Sequence, residues 1–438
     1  MTAQLLLGLS ILVGLHELGH LVAAKAFGMR VEKYSIGFPP KLFGFKIGET
    51  EYSLGALPLG GFVKISGMID ESLDTTQMAS EPKPWEFRSK PAWQRLVVML
   101  GGIVVNIITG IIIFICLVYF IGDTYYSRQE VNQYGIYVSE LGRDLGLQQG
   151  DKIVRINGQE FENFFDVWNP NLLLEEGSYY TVLRNREEIK IPIPADFIEK
   201  LSDQKSARNF VDALMPFAVD SVLENSNAAF GGLQGGDRII EVNDQAVNFF
   251  HEFTDALALN RGETVEMKVL RETGGGKEEV KLLVAVDEQG KVGFVPDILL
   301  EPSRRQYTLA ESVGKGTQEA FGVITLQLKA FGKIFKGDVS ASKSLSGPIG
   351  IAQIFGGYWD WVKFWRITGM LSMVLAFMNL LPIPALDGGH VVFLSYEIIS
   401  GRPPSDKFLE ASQKVGMVLL LCLMVFAFGN DIYKWLLS

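Results

Sequence analysis

Apolar residues are not spread evenly along this chain. They collect in long runs near both ends, and the pattern between the runs changes character. Residues 5–27 are apolar at nearly every position, and 96–121 are apolar with a single amide, Asn106. Each run is about long enough to cross a bilayer as a helix, which takes roughly 20 residues. Two further runs follow, about 367–386 and 415–428. Between the first two, residues 31–65 read as short strand-like pieces broken by Gly and Pro. They form either a small sheet beside the membrane or a β-hairpin dipping into it. Non-helical backbone at membrane depth survives only where it lines a cavity or is buried in protein, and the neighbouring first run favours the dip. Residues 307–336 place Phe321, Ile324, Leu328, Phe331 and Phe335 at helical spacing, with Lys329, Lys333 and Lys336 on other faces. That predicts an amphipathic helix on a membrane surface or against the soluble part. Tyr358, Trp359, Trp361, Phe364 and Trp365 then cluster as in an interfacial belt.

The pattern predicts a polytopic α-helical membrane protein with four transmembrane helices, a re-entrant β-hairpin region and two inserted α+β domains. The expected boundaries are 1–28 for the first span, 29–70 for the hairpin region, 71–95 for a loop and 96–121 for the second span. The inserted domains take 122–212 and 213–300, the amphipathic and interfacial segment 301–365, the third span 366–399, a loop 400–410 and the fourth span 411–438. Lys83, Arg88, Lys90 and Arg95 precede the second span, while Asp123 and Glu130 follow it. The excess of basic residues puts 28–95 in the cytoplasm and the inserted domains, with both termini, across the membrane. The first run has no basic flank before it and no small-residue cleavage site after it, so it reads as a retained helix, not a removed leader.

The soluble middle repeats itself. Gly146-Leu147-Gln148-Gln149-Gly150-Asp151-Lys152-Ile153 and the following Asn157-Gly158 recur as Gly232-Leu233-Gln234-Gly235-Gly236-Asp237-Arg238-Ile239 and Asn243-Asp244, 86 residues on from Gly146 to Gly232. Each copy reads as a helix end, a Gly-Asp turn, an alternating strand and a second turn. The signature resembles PDZ domains, which bind extended peptides by strand addition. Two outcomes stay open, a pair that binds peptides and a pair that only packs. His251, in the second copy, reads as a surface or core histidine.

Composition narrows the class. Of 438 residues 48% are hydrophobic and 21% charged, and the net charge of −10 leaves no nucleic-acid footprint. The two cysteines, Cys116 and Cys422, lie inside apolar runs and build no disulfide framework.

The chemistry sits where it is most costly. His16-Glu17-Leu18-Gly19-His20 interrupts the first apolar run. Ionisable groups there cost roughly 2.5–3.5 kcal/mol each when charged, so they point to function. Histidines at i and i+4 stack on one helix face and can share one zinc ion, with the adjoining Glu placed as general base. The third run breaks at Asn379-Leu380-Leu381-Pro382-Ile383-Pro384-Ala385-Leu386-Asp387-Gly388-Gly389-His390. Asp387 is there either the third metal ligand or a helix cap, and the ligand reading explains why a carboxylate lies in an apolar run. His390 reads as an outer partner or as merely local. Rival readings are a metallopeptidase with a soluble-facing site, a scaffold with a vestigial metal site, and a metal-dependent transporter.

Taken together, the HELGH motif on the first span, the Leu386-Asp387-Gly388 break on the third and the tandem repeat between spans resemble the site-2 protease family of intramembrane zinc metalloproteases, over essentially the whole chain. The resemblance implies zinc ligands His16, His20 and Asp387, with Glu17 as general base. It implies that Asn379 holds the substrate backbone, and that Gly60, Gly61, Phe62 and Val63, with Lys64, form the later strand of a re-entrant loop that meets substrate. It further implies a bacterial inner-membrane location, the PDZ pair in the periplasm and the active site near the cytoplasmic side. Its expected partners are the lipid bilayer and transmembrane substrates, anti-sigma factors and remnant signal peptides.

Overall fold

The computed structural model describes residues 1–68, 81–194, 196–197, 200–201, 210–273, 276–337, 347–356 and 359–437. Residues 71–80 of the expected loop, 202–209 at the end of the first inserted domain, 338–346 and Tyr358 lie outside the described residues. The chain divides into two compact units, Met1–Gly122 with Gln306–Ser438, and Asp123–Arg305.

Among its described residues the first unit is helical apart from one hairpin. Its helices are α1 (Thr2–Ala26), α2 (Ala92–Phe120), α3 (Leu309–Lys336), α4 (Pro348–Phe355), α5 (Trp361–Leu380), α6 (Asp387–Ser400) and α7 (Asp406–Leu437). Among the described residues three helices are long and apolar enough to cross a membrane: Thr2–Ala26, Ala92–Phe120 and Lys407–Ile432. Helix α2 packs against α1, α3, α5 and α6. It meets α1 backbone to backbone, because a side chain at Gly19 would strike the Gly101 carbonyl. Small residues permit that approach where apolar surroundings offer no hydrophobic drive.

Two expectations change here. The third run, expected to break within residues 379–390, ends as a helix at Leu380. Pro382 and Pro384 lack the N–H a helix needs, Ala385 turns at φ +76, and α6 begins only at Asp387. At its other end α5 starts earlier than expected, because the Asp360 carboxylate accepts from the Val362 and Lys363 N–H groups at 2.9 and 3.0 Å. The amphipathic helix α3, expected on a membrane surface or against the soluble part, packs on α2 and α5. Ala320 is buried with Phe114 and Met373, and Phe331 lies 5.7 Å from Phe377, ring to ring.

The hairpin consists of β1 (Val31–Ile47) and β2 (Thr50–Ile65). Residues 33–36 of β1 are paired on both sides, with 61–64 and with 51–54 of β2. The first half of β1 is therefore interior, and 61–65 forms one edge of the sheet. Tyr34 donates its hydroxyl to the Gly14 carbonyl at 2.7 Å, tying the sheet to α1.

The second unit contains the repeat as two similar modules, each with its own core. The first holds β3 (Lys152–Ile156), β4 (Tyr179–Arg184) and β5 (Glu187–Pro192), in that order across the sheet. The second holds β6 (Arg238–Val242), β7 (Gln245–Ala246), β8 (Thr264–Thr273) and β9 (Gly276–Ala285), in the order β7-β6-β8-β9. The repeated aspartate does the same work twice. Asp151 accepts from the Gln148 N–H at 2.9 Å and from Nε and Nη2 of Arg184, whose Nη2 also donates to the Gly146 carbonyl. Asp237, Gln234, Arg271 and Gly232 reproduce that arrangement. His251 sits between the modules, stacked on Tyr137 with ring centres 4.4 Å apart.

Candidate metal centre

Helix α1 carries His16, Glu17 and His20 within about one turn, and Asp387 opens α6. The break after α5 turns the chain so that this first residue faces α1. Gly388 and Gly389 allow the tight return: a Cβ on either would lie 2.6 Å from backbone atoms of 380–383. His16 Nε2 and His20 Nε2 are 3.3 Å apart, and Asp387 Oδ2 lies 3.2 and 3.4 Å from them. Among the described residues this is the one group of three His, Cys, Asp or Glu able to share a metal, with donor atoms within 4.8 Å of one another.

The donor set fits a zinc ion. Asp387 Oδ2 is buried and, among the described residues, meets only the two imidazole nitrogens, an arrangement that is costly for a carboxylate oxygen unless a cation meets it. Two imidazole nitrogens and one carboxylate leave one position of a tetrahedral ion open, as catalytic zinc requires. His20 donates Nδ1–H to the Val98 carbonyl at 2.8 Å, which leaves its Nε2 lone pair for a metal.

A cavity of about 560 Å³ opens beside these atoms. It is lined by Glu17, Asn379 and His390, and by the edge strand through Gly61, Phe62, Val63, Lys64 and Ile65. The Val63 N–H faces the Glu17 carboxylate. Asn379 Nδ2 lies 3.4 Å from His16 Nε2. Gly60 does not line the cavity; a Cβ there would strike the Phe38 ring. Gly61 is where the sheet approaches α1, and a Cβ there would lie 2.6 Å from the Ser35 carbonyl oxygen and 2.7 Å from Val13. His390 lines the cavity without joining the group of three.

Val98 and Gly102 of α2 reach the site without being marked by the sequence pattern, the first through its carbonyl and the second through the room it leaves. A Cβ on Gly102 of α2 would lie 2.5 Å from both His16 Cε1 and His20 Nε2. The imidazoles occupy the volume that a side chain there would fill, and the only trace in the sequence is a Gly-Gly pair inside an apolar run.

Two imidazoles from one apolar helix, a carboxylate from the break after another and a second carboxylate beside them point to a metal-dependent hydrolase set among membrane-type helices. The model for peptidase family M50 matches residues 4–423. The chain is 30% identical to the regulator of sigma E protease of Haemophilus influenzae over 98% of both chains. It is 29% identical to the regulator of sigma-E protease RseP of Escherichia coli, over 98% of this chain and 97% of that one. It is also 29% identical to a putative zinc metalloprotease of Vibrio cholerae, over 97% of both. The chain belongs to peptidase family M50, a family of zinc metalloproteases, and its metal is Zn2+.

Proposed function

We propose that this chain hydrolyses peptide bonds within, or at the edge of, the transmembrane segments of single-span proteins, with His16, His20 and Asp387 holding the zinc ion and Glu17 as general base. The observation that carries this reading is the convergence of those three donor atoms on a cavity walled by an edge strand. When bound, Zn2+ supplies the Lewis acidity that polarises the scissile carbonyl and acidifies the attacking water. Glu17 takes the proton of that water and passes it to the leaving amine. Asn379, on the cavity wall, donates its amide to the substrate backbone.

A substrate helix hides its carbonyls in i→i−4 hydrogen bonds and must unwind before it can be cut. The edge strand 61–65 offers replacement hydrogen bonds by strand addition, which matters most where no water is available. Helix stability in the substrate is therefore expected to oppose cleavage. Replacing a helix-breaking Gly or Pro in a substrate segment by Leu should lower kcat/KM by about tenfold, which corresponds to about 1.4 kcal/mol of extra unwinding. Indifference of the rate to such changes would count against the strand mechanism.

The family resemblance implies an anti-sigma factor as substrate in a bacterial inner membrane, and bacterial relatives named regulator of sigma E protease are in keeping with it. Remnant signal peptides are a second substrate class that rests on the family resemblance. In this reading the polypeptide has four spans, the 28–95 segment is cytoplasmic, and the two repeat modules are periplasmic PDZ domains that admit only substrates whose outer domain is already trimmed. Deleting 123–305 is then expected to let untrimmed substrates be cut in a reconstituted cleavage assay. Continued rejection of them by the deleted chain would remove the filter.

A further inference from the structure

We infer that Asn106 is a positioning residue for the metal centre: its side-chain amide holds the His16 imidazole with Nε2 toward the ion. This rests on the metal-ligand assignment proposed above. Asn106 is fully buried, and it is the one amide in the apolar run 96–121 of α2, where an unpartnered polar group is costly. Its Nδ2 lies 3.2 Å from His16 Nδ1, and its Oδ1 is buried without a partner.

The requirement comes from imidazole chemistry. For both histidines to present Nε2 lone pairs to a metal, each Nδ1 must carry its proton, and each proton needs an acceptor. His20 has one in the Val98 carbonyl. The group facing Nδ1 of His16 is the Asn106 amide. A half-turn of that amide exchanges its oxygen and nitrogen in place, so Oδ1 accepts Nδ1–H when the metal is bound. With nitrogen toward Nδ1, as in the present arrangement, the His16 proton belongs on Nε2, 3.2 Å from Asp387 Oδ2, in the space the metal takes.

Helix α2 is built for this task. Val98, Gly102 and Asn106 follow at intervals of four and share one face. The first gives a carbonyl to His20, the second leaves room for both rings, and the third faces His16. Ser372 of α5, itself fully buried, donates to the Asn106 backbone carbonyl at 2.7 Å and fixes the helix at this level.

The test uses the full chain in detergent, stripped of metal and titrated with Co2+, with affinity and visible d–d spectrum as readouts. Wild type is compared with Asn106→Leu, Asn106→Asp and His16→Ala, and metal-free unfolding temperatures are recorded in parallel. Asn106→Leu is expected to bind Co2+ about 10–100-fold more weakly with an altered spectrum, at an unchanged or raised metal-free unfolding temperature. Asn106→Asp keeps an acceptor for Nδ1–H and is expected to restore affinity and spectrum. Wild-type affinity and spectrum in Asn106→Leu would overturn the inference. So would a loss of affinity that tracks a loss of metal-free stability, which would assign Asn106 to packing. Wild-type binding by His16→Ala would instead overturn the ligand assignment itself.

Discussion

Glu17→Gln is expected to leave zinc binding at wild-type level and to lower peptide hydrolysis by about 10²–10⁴-fold, the usual worth of a general base. The two side chains have nearly the same shape, so the cavity wall and the approach of Val63 to residue 17 persist. Glutamine cannot take a proton from water, and it is not one of the three groups that converge on the metal position. Zinc analysis of the purified protein, beside cleavage of a transmembrane peptide, separates the two effects. Undiminished cleavage would transfer the base role to another group. Loss of zinc together with activity would make Glu17 a ligand.

The second large effect comes from a residue that touches no metal. Gly102→Val is expected to weaken zinc binding beyond the 10–100-fold that follows loss of an outer partner of a ligand. Its Cβ would already sit 2.5 Å from atoms of both histidine rings, inside any tolerable contact. Neither ring has a retreat, since His20 is held by the Val98 carbonyl and α1 meets α2 through Gly19 and Gly101 with no side chain between them. Equilibrium competition with a zinc chelator measures the change. Wild-type affinity in Gly102→Val would mean that α1 and α2 can separate, and that the tight crossing is not what places the ligands.

Much of this site was readable in the chain because membrane surroundings make polar groups conspicuous. His16, Glu17 and His20 stand out for interrupting an apolar run, and Asp387 stands out for the same reason beside Pro382 and Pro384. The repeat was readable because each copy must build the same Asp–Arg tie under its turn. What was not readable depends on partners. A stripe of apolar residues on 309–336 does not say whether it meets lipid or helices, and the contacts of α3 with α2 and α5 decide that. The double pairing of residues 33–36 needs a register that local pattern does not carry. Val98 acts through its backbone carbonyl and Gly102 through the side chain it lacks, so neither marks itself in the sequence.

The most direct test of the central claim is a zinc titration of the metal-stripped enzyme while it cuts a transmembrane peptide, with Asp387→Asn run beside it. One zinc ion held by His16, His20 and Asp387 predicts no cleavage without metal and activity that rises to a plateau at one zinc per chain. For Asp387→Asn it predicts weakened zinc binding and little or no cleavage. Cleavage that survives removal of the metal, or an Asp387→Asn enzyme that binds zinc and cuts like wild type, would contradict it.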